Sequence, residues 1–414
     1  MLIWSYWPGP EGGAERQCRK LVSVLQKRGM SCTVLTHWPS LKVPRIEWSE
    51  GVEIRRVGVL GPFTNWILRK RDAVKSRLGR DSRAAIATTA GAVKPARKAG
   101  PTMPLRWLDT LLFMVEAYFF VRHRRREFQI LHIHESHWLG GFGAWMGVRA
   151  GIPSVCKEAF LPCLLDLDAH VPFRKVWDTW RKRPIYLAMH RAIGDCLASK
   201  GIPRDRLLEL PNGVEIPEDQ ADVIKNSTVL FVGNFPQGAH HKAFDSMIEA
   251  WALVQQRKSE AKLVIVGAGD STLWLEYARK HSCADTITFA GAVNDVAPFF
   301  RTAAVFVLPS RREGMSNALL EAQSWGIPAV VSDIPGNTAV VEDGETGLVV
   351  PVGHSAALAD AVLKLLHDSE LRVRMGRSAR ERMQRRFGFA EIADTLEKEY
   401  QLIARKPSAT GLSG

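Results

Sequence analysis

The six cysteines, Cys18, Cys32, Cys156, Cys163, Cys196 and Cys283, contain no C-x-x-C pair and form no metal-type cluster with histidine. That spacing excludes the common zinc and redox motifs, and the cysteines read as thiols of a reducing compartment. A helical H-E-x-x-H is missing too. His132 and His134 alternate within Gln129 to His134, a strand pattern, so no metal site is expected there. No run is long and apolar enough to cross a bilayer, because Leu105 to Val121, apolar over roughly fifteen positions, carries Asp109 and Glu116. The first residues, Met1-Leu2-Ile3-Trp4-Ser5, enter a strand directly, with neither a basic n-region nor an apolar h-region. No secretory signal is expected, and a cytoplasmic location is. Gly267-Ala268-Gly269 follows a strand, but the third glycine of a dinucleotide fingerprint would fall at Thr272, so the signal for NAD is weak. Nothing resembles a nucleic-acid-binding module.

What is present is a chain of 414 residues, long enough for two domains with separate cores, and a net charge of +13 that is unevenly placed. Between Gly61 and Lys200 there are 24 Lys and Arg against 11 Asp and Glu, which accounts for the whole excess. Arg122-His123-Arg124-Arg125-Arg126 follows the apolar segment at once, and Trp66, Trp107, Trp177 and Trp180 lie among cations in the same half. Interleaving of this kind suits a protein resting on an anionic membrane face, such as the inner side of a plasma membrane, or one that takes a phosphorylated acceptor. A core helix followed by a solvated basic surface is the plainer alternative, and both stay open. From Gly61 to Gly100 periodicity breaks down, which reads as a variable insertion.

Strand and helix patterns alternate along most of the chain, which predicts an α/β fold with parallel sheets. The most informative stretch runs from Val305 to Val350. A buried-strand run ends at Pro309-Ser310, a charged loop follows, and a helical pattern begins near Ser316. At the carboxyl end of a strand in an open α/β sheet, a helix start presents unpaired N-H groups suited to a phosphate. Glu313, on the loop, and Glu321, in the second helical turn, are placed to accept hydroxyl hydrogens from a sugar. Without further context they read as a capping acid and a solvated carboxylate. Gly326-Ile327-Pro328, the turn Ser332 to Asn337, and the turn Glu342 to Gly347 then lead into two more strands.

This series resembles the donor-binding half of the retaining glycosyltransferases of family 4, which have the GT-B fold and carry an acidic pair of the form E-x7-E, here Glu313 and Glu321. The resemblance implies two Rossmann-like domains facing a cleft, with a C-terminal helix crossing back to the first. On that basis residues 1–211 form the acceptor-side domain, with a basic insertion near 61–128. Residues 212–385 form the donor domain, and 386–414 the crossover helix and a disordered tail. The resemblance implies a nucleotide-sugar donor, a lipid-linked or glycan acceptor in surface-polysaccharide or glycoconjugate synthesis, and no metal or other cofactor. Glu313 orients the donor, His134 (with His132 as fallback) reaches the donor sugar, and Lys242 neutralises the leaving diphosphate. Gly12, Gly13, Gly267, Gly291, Gly314, Met315, Ser316, Asn317 and Glu321 complete the donor contacts, while Lys157 and Glu158 line the acceptor side. The family's usual arginine is replaced by Asn234, so a second diphosphate cation must come from Arg311, Arg312, Lys157 or His241. An epimerase, a phosphorylase, or a catalytically silent binding protein on the same fold are the alternatives.

Overall fold

The structure, a computed structural model, describes residues 1–6, 12–67, 103–164, 171–235 and 240–405. The start of the glycine-rich loop (Pro8 to Glu11), the basic stretch from Arg69 to Gly100 and the tail from Pro407 lie outside the described residues. The chain divides into two compact units. One holds Met1–Ala188, Cys196–Leu208 and the chain from Leu396 on, and the other holds Met189–Asp195 and Glu209–Thr395. The sequence reading set these divisions at 212 and 386.

The first unit is built on two linked strand groups. β1 (Thr33–His37), β2 (Ile46–Ser49) and β3 (Val52–Val57) stand in the order β1-β3-β2, with β2 antiparallel at the edge. β4 (Leu131–Ile133), β5 (Ser154–Glu158), β6 (Ile185–Ala188) and β7 (Leu207–Glu209) follow one another in sequence order. Met1 to Ile3 joins the groups, since Leu2 bridges both Leu35 and Ile133 in parallel. The N-terminal residues are therefore a central strand, and Leu2 and Ile3 are fully buried.

The apolar segment forms the helix Met103–His123, which is buried along one face and exposed along the other. Phe113, Met114, Ala117 and Val121 are buried, and the two acids that break the apolar run face partners. Asp109 Oδ2 lies 3.0 Å from His37 Nε2, and Glu116 accepts from Arg45 at 2.5 Å. Trp4 stacks on His37 at 4.3 Å, with Phe113 edge-on at 5.0 Å, so the buried His37–Asp109 pair is walled by aromatic carbon. The opposite face is exposed and apolar at Trp107, Leu108, Val115 and Phe119.

The cysteines depart from the sequence reading. Cys163, in the loop after β5, and Cys196, on the helix Arg191–Ser199, form a disulfide with a Cα separation of 6.1 Å, while Cys18, Cys32, Cys156 and Cys283 are free. They are 33 residues apart in sequence, so the pair is made by tertiary packing and leaves no local spacing to read.

The second unit carries a six-stranded sheet in the order β10-β9-β8-β11-β12-β13. Its strands are β8 (Thr228–Val232), β9 (Lys262–Val266), β10 (Ile287–Gly291), β11 (Val305–Leu308), β12 (Ala329–Ser332) and β13 (Gly347–Val350), and every pairing is parallel. Their Val, Ile, Leu and Phe content suits strands covered on both faces. Strand order reverses between β8 and β11, the position where ligands sit in doubly wound folds. The polar stretch Pro217 to Asp222, which reads as a linker, is tied to this unit by arginines. Arg380 donates to the carbonyls of Pro217, Asp219 and Ser324, and the buried Arg372 donates to those of Val223, Leu365 and Leu366.

Candidate active site

The loops after β8 and β11 meet at the reversal point and bring two of the sequence-selected residues together. Lys242 Nζ donates to Glu313 Oε1 at 2.5 Å, and Ser310 Oγ donates to the same oxygen at 2.9 Å. The side chains are 15% and 13% exposed, so the pair is shielded but not sealed, and a ligand that reached it could exchange for one of its bonds. Lys242 closes the turn His240–Lys242, just before the helix Phe244–Arg257.

Glu313 is followed by a buried helix entry. Ser316 caps the helix Asn317–Ser324, its side chain accepting from Leu319 N-H. Gly314, Met315 and Ser316 are buried, yet among the described residues their N-H groups have no protein acceptor. N-H groups of buried residues are nearly always paired, so three left without an acceptor in succession at a helix start are available to an anion. Asn317 is held from behind, where Asn212 Nδ2 donates to its Oδ1 at 2.9 Å, and Met315 Sδ accepts from Asn212 N-H at 3.4 Å. Glu321 lies half-buried in the second turn, as its spacing predicts.

Sequence reasoning missed what holds this loop. Ser332 to Asn337, read as a turn, ends in the short helix Pro335–Thr338. Fully buried Asn337 donates to Ser332 O and Oγ at 3.1 Å, and Ser332 Oγ donates to Ser310 O. Gly336 packs directly on the loop: a Cβ there would stand 2.1 Å from Gly314 O and 2.7 Å from Glu313 O. Gly336→Ala should therefore move the Glu313–Gly314 backbone and cost about 1–3 kcal/mol in urea unfolding. An unchanged midpoint would show that the loop gives way freely. Gly-Asn after a proline was the available signal, but a turn is its ordinary meaning.

The other sequence-selected positions of the second unit are placed as follows. Asn234 is exposed, and its Oδ1 accepts from Ala268 N-H at 2.9 Å, which ties the loops after β8 and β9 together. Gly267 has φ of 149°, and a Cβ there would stand 2.2 Å from Gly233 O, so only glycine permits this approach. Gly291 ends β10. Of the cations that could replace the missing arginine, Arg311 is engaged, its two terminal nitrogens donating to Asp245 at 2.9 and 2.8 Å. Burial, then neighbouring Lys242, holds the His241 ring below its ordinary pKa. Arg312 is exposed and has no partner among the described residues. His190, which the sequence reading passed over, is 3% exposed with an unpartnered Nε2; burial lowers its pKa, and a hydrogen bond with the Gly314 backbone works against that shift.

The remaining candidates belong to the first unit and form a separate group. His132 and His134 stack at 4.4 Å beside β4, and Tyr400 pairs with His132 Nδ1. Both Nε2 atoms are buried without partners, and burial depresses both pKa values well below the ordinary range. Lys157 is buried on β5, and burial brings its pKa down to about 8. Glu158 accepts from the N-H groups of Ala159, Phe160 and Leu164 and so shapes the loop that follows. Gly12 is the N-cap of the helix Gly13–Lys27. Among the described residues no three His, Cys, Asp or Glu side chains cluster as a metal site.

Residues 226–368 match the family model described as glycosyl transferases group 1. The phosphatidyl-myo-inositol mannosyltransferase of Mycobacterium leprae is 32% identical over 293 residues, covering 68% of this chain and 75% of the relative. The capsular polysaccharide biosynthesis glycosyltransferase CapM of Staphylococcus aureus is 24% identical over 208 residues, and the match spans about half of that protein, 54%. The crystal structure of HepE from Anabaena in complex with UDP superposes with a TM-score of 0.66, covering 97% of this chain and 99% of that one at 14% identity.

Proposed function

We propose a donor, an acceptor class and a mechanism from one premise: the chain belongs to the group 1 glycosyltransferases, family 4, with the GT-B fold. The donor is a nucleotide sugar and the acceptor a lipid-linked or glycan hydroxyl. Transfer keeps the anomeric configuration, in the service of surface polysaccharide or glycoconjugate synthesis. One observation carries the reading: the unpaired N-H groups of Gly314 to Ser316 lie next to the Lys242–Glu313 pair at the strand-order reversal. In this mechanism the N-H groups and Lys242 hold the donor diphosphate, and Arg312 supplies the cation that Asn234 does not. As the glycosidic bond to phosphate breaks, negative charge grows on the leaving oxygen, and these donors stabilise it there. Glu313 exchanges its bond with Lys242 for donor-sugar hydroxyls and fixes the sugar, and Glu321 holds the ribose. No step is routed through a metal ion. Supporting this reading are a UDP complex on the same fold and a relative named for a lipid acceptor.

The test is transfer from a panel of labelled UDP-, GDP- and ADP-sugars to a phospholipid-headgroup acceptor, with the product anomer read by NMR. Transfer with retention supports the proposal. Inversion would overturn the mechanism, and donor turnover without acceptor would point to an epimerase.

The protein works at an anionic membrane face. Among the described residues no helix is long and apolar enough to cross a membrane. The exposed Leu108, Val115 and Phe119 recur at helical spacing, and Arg122, Arg125 and Arg126 follow them. Cosedimentation with phosphatidylglycerol vesicles should be strong at low salt, fall as salt rises, and drop severalfold in Leu108→Ser/Phe119→Ser. Equal binding by the double variant would contradict this.

A further inference from the structure

A cavity of about 310 Å³ lies within the first unit, away from every residue assigned a role above except His132. Its walls come from the first residues of β1 and β4, the end of the helix Gly13–Lys27, Phe120 and Val121 of the helix Met103–His123, and Tyr400 and Ala404 of the helix Phe389–Arg405. Parallel strands contribute their N-terminal ends, which is the sheet edge opposite the one where ligands of such folds are turned over. The geometry points to a second binding site here, one that takes the hydrocarbon chain of an anionic lipid and places its head on Arg125 and Arg126.

The chain's chemistry follows from the walls. Leu25, Met30, Phe120, Val121, Phe128 and Ile152 make them apolar, and the methionine can adapt its shape to a flexible guest. Several of the polar groups along the cavity are engaged, and Ser31, Gln129 and Gln401 are exposed to solvent. Tyr400 pairs with His132, and the Met1 amine donates to Thr33 O at 2.7 Å, its pKa lowered by burial. Glu127 accepts from Arg124, and Glu397 faces Arg28 at 3.9 Å. A sugar or nucleotide would give up its hydrogen bonds to water here for few in return, whereas a hydrocarbon gives up none. Apolar cavities of this kind hold water poorly and admit apolar guests.

The head is set by charge in the stretch that follows the wall helix Met103–His123. The Arg122 to Arg126 stretch joins two parts of the wall, Phe120-Val121 and Glu127 to His132, so along the chain its arginines lie within five residues of the lining on either side. Arg124 is held by Glu53 and Glu127. Arg125 and Arg126 are exposed and have no partner among the described residues. Exposed Phe119, the end of the apolar stripe, adjoins wall residue Phe120. The inference rests on the membrane reading only for where the lipid comes from.

The experiment titrates the full chain with the fluorescent fatty acid cis-parinaric acid, kept below its micelle concentration, and then displaces it with lysophosphatidylglycerol or with dodecanol. Saturable binding is expected, displaced by the anionic lipid at concentrations at least tenfold lower than by the neutral alcohol. Ala404→Trp, which fills the cavity, should weaken binding at least tenfold without changing transfer to a soluble acceptor, and Ile152→Phe should do the same if the first variant does not fold. Arg125→Ala/Arg126→Ala should reduce the preference for the anionic lipid. No saturable binding, or binding unmoved by both cavity-filling changes, overturns the site, and equal displacement by dodecanol overturns the role of the arginines. Leu108→Ser/Phe119→Ser should leave parinarate binding intact, so a failure of vesicle docking and a failure of the cavity are told apart.

Discussion

Glu313→Ala should lower kcat for transfer by about 10³-fold or more while the protein remains folded. Two observations and the proposed mechanism set the size of the effect. Glu313 Oε1 is the shared acceptor of Lys242 and Ser310, so its removal frees both donors at once. The residue also stands immediately before the unpaired N-H groups of Gly314 to Ser316, where the donor phosphate is proposed to bind. In the proposed mechanism its hydrogen bonds to sugar hydroxyls position the reacting carbon, which is the kind of contact whose loss appears in kcat rather than in KM. The fold is expected to survive because the loop backbone is braced independently of the side chain. Asn337 and Ser332 hold the Ser310 carbonyl, and Gly336 packs on Gly314. Initial rates and a thermal melt on the same preparation decide the matter. A melting temperature near that of the wild type with turnover retained would remove Glu313 from the mechanism.

Lys242→Met is the second large effect, a loss of about 10²- to 10³-fold in kcat, with weaker binding of nucleoside diphosphate. Here a cost in stability is expected as well. The ammonium is the ion partner of a carboxylate that is 13% exposed, and leaving a shielded carboxylate without its cation is destabilising even where the intact pair adds little. The two effects should not add. With Glu313 already gone, Lys242 has lost the contact that aims it, so Glu313→Ala/Lys242→Met should be little slower than Glu313→Ala alone. Rates for the four proteins of this cycle test it. Multiplying losses would mean that the two side chains act separately and that their 2.5 Å contact is incidental.

Local spacing explains which parts of this account were legible in the sequence. Strand runs such as Val305 to Leu308 and Lys262 to Val266 announce a parallel sheet, and Ser316 is a cap because it precedes an apolar helical pattern by one residue. Glu313 and Glu321 sit on one loop and helix, so their separation is fixed by local geometry. The Lys242–Glu313 contact spans 71 residues, and only the family pattern brought those two to notice together. Contacts without such a pattern were invisible. The Cys163–Cys196 disulfide, the His37–Asp109 pair and the Asn212–Asn317 bond all join distant stretches through packing. The cavity was hidden for the same reason, since its walls come from strand starts, two helix ends and the final helix, and no single window of sequence contains them. Asn234 shows the opposite limit. The sequence marked it as a missing cation, but its use as an acceptor for Ala268 N-H depends on how two loops meet.

The most direct test of the proposed donor site is calorimetric titration of UDP, GDP and ADP into the wild-type protein and into Lys242→Met, in buffer containing EDTA. The account predicts that one nucleoside diphosphate binds the wild type without metal and that the variant binds it at least tenfold more weakly. Binding that needs a divalent ion, or that is equally tight without Lys242, would contradict a diphosphate held by this lysine and the Gly314 to Ser316 backbone.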